Sequence, residues 1–442
     1  MTAVGTVAPA RTLGFETRQV HAGAILDAEA GARVTPIYQS AGYVFDSFDD
    51  GALRFAGRSA QRAYSRNDNP TNVVAARRIA DLEGGLDGVL VASGQAAIAA
   101  ALGGLAQAGD RILAADRLYE GTREMVRGLL RRQGLAFDTL PIDSDEEAWV
   151  AAVRPETRAI YAESIANPLG EVADLDLLGR VSARTGVPLV VDNTVATPYL
   201  NRPIEHGAAV VIHSTSKWLG GHGSVIGGAI VDGGFDWDAE RFPHLHAPRP
   251  HGAPSWVEAF GRGAYGAYLR SVVVLEQGPT MPPTSTFLLL HGIETLSLRM
   301  ERHVANAHAV IDALAGHPAI ARIHHPSLDA ARAEVVARLL PDGAGSVVSL
   351  DLAGGRDAAR AFLDRLELVS QMTHIGDVRT LAIHTGSTIH GKLDEEERLA
   401  LGVTPGLVRL SIGIERADDI VADLLQALDA LSAGTPGTEA AA

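Results

Sequence analysis

The feature that most limits how this chain can fold lies between residues 86 and 231, where short apolar runs alternate with helical stretches. Val89–Ala92, Arg111–Ala115, Arg158–Ala162, Leu189–Asp192, Val210–His213 and Val225–Val231 read as buried strands. Between them, Ala96–Gln107, Thr122–Arg132, Asp145–Val153 and Leu175–Thr185 read as helices. Strands that alternate with helices build βαβ units, so the expected fold class is α/β with a mainly parallel sheet. Gly109 after Ala108, and Gly186-Val187-Pro188 before the next run, punctuate helix ends as such units require.

The rest of the chain reads differently. Residues 1–65 mix glycines and aromatics with little periodicity and read as an N-terminal arm with short helices; residues 66–286 form the large domain. Within it, residues 233–286 are rich in Pro and Gly and read as a long functional connection. Residues 287–431 read as a smaller α+β domain. It opens with one long helix from Phe287 to about Leu314, then a strand at 346–352, a helix at 356–366, a strand at 407–412 and a helix at 417–431. The small, polar stretch 432–442 reads as a disordered tail.

Composition excludes several functions. A formal charge of −15, from 38 basic and 53 acidic residues, argues against a nucleic-acid partner. The absence of cysteine rules out disulfides and thiolate metal sites, and fits the cytoplasm. The most apolar long window, Val89–Ala108, carries Ser93, Gln95 and Gln107 and reads as a buried strand and helix, so no membrane partner is expected. The scattered histidines lack regularly spaced acidic partners, and no metal site is expected.

Six clusters can carry chemistry. His213-Ser214-Thr215-Ser216-Lys217 follows an apolar strand; hydroxyls there could hold a phosphate while a desolvated lysine forms an imine. Asp192 ends the run Val190-Val191, where open α/β sheets place ligands, and an acid there can keep a pyridine nitrogen protonated. Ser93-Gly94-Gln95 joins a strand to a helix whose first N–H groups suit a phosphate. Tyr119 could stack on a flat cofactor, Tyr64 and Arg66 could grip a phosphate, and Arg409 sits inside an apolar strand pattern where it needs a carboxylate. Each has a bland counterpart: a solvated lysine turn, a capping Asp, a tight turn, a core tyrosine, a loop arginine, a structural ion pair. Their order along the chain is the layout of a fold-type I pyridoxal-phosphate (PLP) enzyme.

The motifs YSRNDNPT, SGQAAI, LYEGT, ESIANPLG, VDNTVATPYL, HSTSKWLGGHG and VRLSIGIE, in that order, resemble the Cys/Met-metabolism family of PLP enzymes over residues 17–431. Within it, GGFDWDAERFPHL, FLLLHGIETLSLRMERH and the GDVRTLAIH ending resemble the O-acetylhomoserine sulfhydrylase branch. The resemblance implies a seven-stranded, mainly parallel sheet with helices on both faces. It makes Lys217 the Schiff-base lysine and proton carrier, with Asp192 on the pyridine nitrogen, Thr194 nearby and Tyr119 against the ring. Gly94, Gln95, Ser214 and Ser216 would hold the phosphate, joined by Tyr64 and Arg66 from a neighbouring subunit of a homotetramer. Arg409, Asn167, His374 and Tyr64 would hold a small amino-acid substrate.

The implied reaction is γ-replacement on O-acetyl-L-homoserine, or a related O-acylated homoserine, with sulfide giving homocysteine. Two alternatives stand beside it: a γ-lyase releasing an α-keto acid and ammonia, and a γ-substitution of specialised metabolism with an amine or carbon nucleophile. The latter is motivated by departures from the branch. His374 replaces the usual Asn or Ser, Glu120 replaces Gly, and Thr385-Gly386 replaces Pro-Ala. Charge or imidazole near a site alters its electrostatics, so His374 and Glu120 are expected to influence which nucleophile attacks.

Overall fold

A computed structural model describes residues 13–25, 27, 29–59 and 61–433. Its first sheet has seven strands: β1 (Asp87–Val91), β2 (Arg111–Ala115), β3 (Ala136–Leu140), β4 (Thr157–Glu163), β5 (Leu189–Asp192), β6 (Ala208–Ser214) and β7 (Gly228–Asp232). They lie in the order β1-β7-β6-β5-β4-β2-β3. Only β7 runs antiparallel to its neighbours β1 and β6.

The alternation of side chains explains why the strands read as unbroken apolar runs. Leu189 and Val191 of β5 join Val211 and Val231 in the core on one face. Val190 joins Val210, Ile212 and Ile230 on the other. Helices cover both faces, so all but one position of each central strand β4, β5 and β6 is buried. The edge strand β3 is half-exposed throughout, with Asp138 and Thr139 in it, and shows no such run; the sequence pattern passes over it for that reason.

Three other expectations need correction. The helix Pro70–Glu83 was not anticipated, although Asn69 caps it through the Thr71 N–H, Pro70 starts it and Gly84 (φ 78°) ends it. Residues 233–286 are not an open connection. Trp237, Phe242, Leu245, Trp256 and Tyr265 are buried in the second face cluster, and the Tyr265 hydroxyl donates to the Ala101 carbonyl. The expected single helix after Phe287 is two, Pro283–Ile293 and Leu296–Leu314. Thr295 interrupts them, its hydroxyl donating to the Gly292 carbonyl at 3.3 Å.

A second sheet has the order β10-β11-β12-β9-β8, from β8 (Ile320–His324), β9 (Val347–Leu352), β10 (Ser370–Gln371), β11 (Leu381–His384) and β12 (Leu407–Ser411). The last helix runs Ala417–Ala433, so Ser432 and Ala433 are helical rather than tail; residues 1–12 and 434–442 lie outside the described residues. Among the described residues no helix is long and apolar enough to cross a membrane.

The sheets meet around the segment after β6. Trp218 Nε1 donates to Ser346 Oγ at 3.2 Å, and Arg299 Nη1 donates to the Trp218 carbonyl at 2.7 Å. Trp218 is fully buried, so Trp218→Ala is expected to cost about 3–5 kcal/mol of stability. A denaturant titration of the variant checks this.

Candidate active site

The C-terminal ends of the parallel strands open into a cavity of about 440 Å³. Open α/β sheets bind ligands at this edge, where loops diverge and helix N-termini point inward. Ser93, Gly94, Gln95, Tyr119, Asn167, Asp192, Thr194, Ser214, Ser216, Lys217, His374 and Arg409 all line the cavity. The structure thus collects into one place residues spread over more than 300 positions of sequence.

Three strand ends supply the floor. Asp192 ends β5 and pairs in register with Glu163, which ends β4. Thr194 N–H donates to Asp192 Oδ1 at 3.0 Å, and Thr194 Oγ1 accepts the Ser214 N–H at 2.8 Å. Burial raises the Asp192 pKa, while the Thr194 hydrogen bonds pull it back. Glu163 is pushed well above the carboxylate range, by burial first and then by repulsion from Asp192. Its Oε1 accepts the Tyr119 N–H at 2.5 Å, which fixes the turn carrying the aromatic ring.

The wall beside them is the start of the helix Gly94–Leu105. Ser93 caps it by accepting the Ala96 N–H at 3.1 Å, leaving the first helical N–H groups directed at the cavity. Gly94 is obligatory for the close approach of this helix to β6: a Cβ there would lie 2.6 Å from Ser214 Cβ. Gly94→Ala is therefore expected to displace the helix start and weaken phosphate binding by about tenfold or more, from one lost charge-assisted hydrogen bond. Titrating the cofactor-free variant with pyridoxal phosphate measures it.

Lys217 enters from the loop after β6. The chain contains only two lysines. The other, Lys392, is exposed and paired with Glu124 at 2.6 Å. Burial, with a smaller contribution from Arg409, brings Lys217 down to about 8. An amine in this state is neutral in part near neutrality and can act as nucleophile or base.

The second sheet supplies the opposite wall. Arg409 sits centrally on β12, between Ser349 of β9 and Ile383 of β11, and is 2% exposed. Its Nη1 donates to Asn167 Oδ1 at 3.3 Å, and Nη2 donates to the Thr373 and His374 carbonyls at 2.8 and 3.2 Å. All these partners are neutral, and among the described residues Arg409 has no carboxylate partner. The ion-pair reading of this arginine is set aside, and the cavity side of the guanidinium is left to an anion.

Other expectations fare differently. The Ser216 hydroxyl is engaged with Gly227, accepting its N–H at 3.0 Å and donating to its carbonyl at 3.3 Å. Tyr64 and Arg66 do not line this cavity; Tyr64 is half-exposed, and Arg66 Nη1 donates to the Leu275 carbonyl at 2.6 Å. Glu120 must be corrected. It does not line the cavity; it makes its contact with Arg123 instead, buried 3.3 Å from Arg123 Nε, with burial raising its pKa. Thr385 is likewise buried elsewhere, its hydroxyl donating to the Leu407 carbonyl at 3.2 Å. Sequence reasoning did not single out Glu163, although its place after the run Ile160-Tyr161-Ala162 matches that of Asp192 after Val190-Val191.

This donor set fits pyridoxal phosphate. A partly neutral lysine suits an aldehyde, and free helix N–H groups with Ser214 suit a phosphate. Asp192, half-buried at the cavity with no cation partner among the described residues, suits a protonated ring nitrogen.

The comparisons with known proteins agree. The chain is 42% identical to the homocysteine synthase of Schizosaccharomyces pombe, over 95% of this chain and 99% of that one. It is 41% identical to the O-acetyl-L-homoserine sulfhydrylase of Corynebacterium glutamicum, over 93% and 96% respectively. A crystal structure described as an O-acetylhomoserine (thiol)-lyase of Campylobacter jejuni, containing a pyridoxyl-lysine monophosphate, superposes with TM-score 0.89 at 32% identity, covering 94% of this chain and all of that one. Residues 16–429 match the model of the Cys/Met metabolism PLP-dependent enzymes, and the chain belongs to that family.

Proposed function

We propose that this chain is a PLP-dependent transferase that replaces the γ-acetoxy group of O-acetyl-L-homoserine with sulfide, giving homocysteine and acetate. The observation that carries this reading is the convergence of Lys217, Asp192 and an unpaired Arg409 on one cavity, in a chain similar throughout to homocysteine synthases and O-acetylhomoserine sulfhydrylases. When bound, the cofactor's protonated ring withdraws electrons from the substrate carbons.

Lys217 would hold the cofactor aldehyde, Asp192 would keep the proton on the ring nitrogen, and Tyr119 would supply the aromatic face beside the ring. Gly94 and Gln95 N–H groups with the Ser214 hydroxyl would bind the phosphate. Arg409, steadied by Asn167, takes the substrate carboxylate in a bidentate grip. Lys217 Nζ, as the free amine in the cavity, would remove the Cα proton. Removal of a Cβ proton then lets the Cγ–O bond break and acetate leave with the bonding pair; hydrosulfide forms the Cγ–S bond, and the protons taken from Cβ and Cα are returned to them, so the net change is sulfide for acetate. The apolar walls of Ile98, Val195, Val225 and Ile375 keep water from the same carbon. Tyr64 and Arg66, turned from their own cavity, serve that of a second copy, which makes a dimer the smallest working unit and a tetramer of two such dimers the expected assembly.

The test is incubation with O-acetyl-L-homoserine and a panel of nucleophiles, with products identified by mass. Homocysteine formed faster than any other adduct supports the reading. An α-keto acid and ammonia formed equally fast without added nucleophile would replace it with a γ-lyase. A faster amine or carbon adduct would replace sulfide as the nucleophile.

A further inference from the structure

His374 meets Lys217 directly, its Nδ1 lying 3.2 Å from the lysine Nζ. Its main-chain oxygen also accepts a hydrogen bond from Arg409 Nη2 at 3.2 Å. One residue therefore touches both the amine and the guanidinium that face the cavity. The charged and titratable groups around this pair are few. Lys217, Arg409 and Asp377 act on the imidazole, together with the Ser216 main chain. Arg409 acts on the amine, and Tyr119, Glu163 and Asp192 line the remainder of the cavity.

We propose that His374 is a positioning residue whose uncharged imidazole accepts a hydrogen bond from Lys217 Nζ at Nδ1, aiming the amine into the cavity beside Arg409 and favouring its protonated form. This rests on the reading of Lys217 as the reactive amine. Where Lys217 is an ammonium it has donors only, so in that state Nδ1 carries no proton and the ring hydrogen is on Nε2. The rival role for an imidazole beside a lysine is to carry its proton away. Burial foremost, then the Lys217 charge, hold His374 down to about 4, while Lys217 lies at about 8. Passing a proton from lysine to imidazole is then uphill by roughly four orders of magnitude. His374 is consequently an acceptor and not a carrier. An asparagine carbonyl could accept in the same way, and a leucine of similar bulk could not.

The two-lysine composition makes the test clean. The full-length protein, stripped of cofactor, is labelled with acetic anhydride across a pH series, and the Lys217 and Lys392 peptides are quantified by mass spectrometry. Exposed Lys392 is the internal standard. Wild type is expected to show Lys217 titrating at about 8. His374→Leu, which removes the acceptor while keeping water out, is expected to lower that midpoint by about one unit. His374→Asn is expected to restore it. A His374→Leu midpoint that is unchanged or raised, or a His374→Asn midpoint as low as that of His374→Leu, overturns the proposal. If the leucine variant does not fold, ¹⁵N spectra of wild type decide: an unprotonated Nδ1 from pH 6 to 9 supports the acceptor role, and a protonated Nδ1 overturns it. Wild-type Lys217 titrating together with Lys392 would instead sink the reading of Lys217 itself, so the two failures are distinguishable.

Discussion

Lys217→Ala is expected to abolish turnover and, with it, the near-visible absorbance of the cofactor–lysine imine. Loss of the general base alone costs about 10²–10⁴-fold, and loss of the attachment point adds to it. No other lysine can substitute. Lys392 lies outside the cavity lining, exposed and paired with Glu124. The wild-type reaction carries a pH signature with a definite sign. Because Lys217 is depressed to about 8, chiefly by burial, capture of pyridoxal phosphate by the cofactor-free protein needs the neutral amine. It should rise about tenfold per pH unit below pH 8 and level off above it. Stopped-flow absorbance with wild-type protein measures the profile; a midpoint near that of a free lysine would contradict the buried environment. The alanine variant should show no imine band at any pH while still folding, since the Lys217 side chain spans a cavity and fills no core position.

Arg409→Lys is expected to raise KM for the amino-acid substrate by about 30–150-fold, equivalent to ~2–3 kcal/mol, with a smaller change in kcat. The charge survives the substitution, but the planar fork does not. A lysine ammonium could not hold Asn167 Oδ1 and the Thr373 and His374 carbonyls while gripping a carboxylate through two parallel hydrogen bonds. Steady-state kinetics separates the outcomes. A fall in kcat at constant KM would assign Arg409 to the chemistry instead. An unchanged KM would mean that the substrate carboxylate binds elsewhere. Cofactor content should stay at the wild-type level, because no phosphate-facing group is disturbed.

Much of the architecture was legible because the central strands are buried on both faces. Continuous runs such as Leu189-Val190-Val191 can be little else in a chain where helical stretches separate them. Legibility fails where burial is partial. Edge strand β3 exposes part of each residue and shows no pattern. The aromatic-rich stretch after β7 looks like a linker because its prolines break every period, yet Trp237, Phe242 and Tyr265 are core residues. The site shows the same division. Asp192 and Lys217 are recognisable from the strands they follow. Glu163 was overlooked, and Glu120, expected to influence the site, lies outside the cavity lining, beside Arg123.

The sequence by itself determined that an acid, an aromatic, a hydroxyl-flanked lysine and an anion-binding helix start each stand at a strand end, because strand–helix alternation brings those ends to one edge of a sheet. The tertiary structure alone decided what each of them meets. The neutral surroundings of Arg409, the shared register of Glu163 and Asp192, and the contact of His374 with Lys217 join segments 29 to 242 residues apart. Such meetings depend on how the second sheet seats against the first. That seating is set by packing around Trp218 and Arg299, which has no periodic signature in the chain.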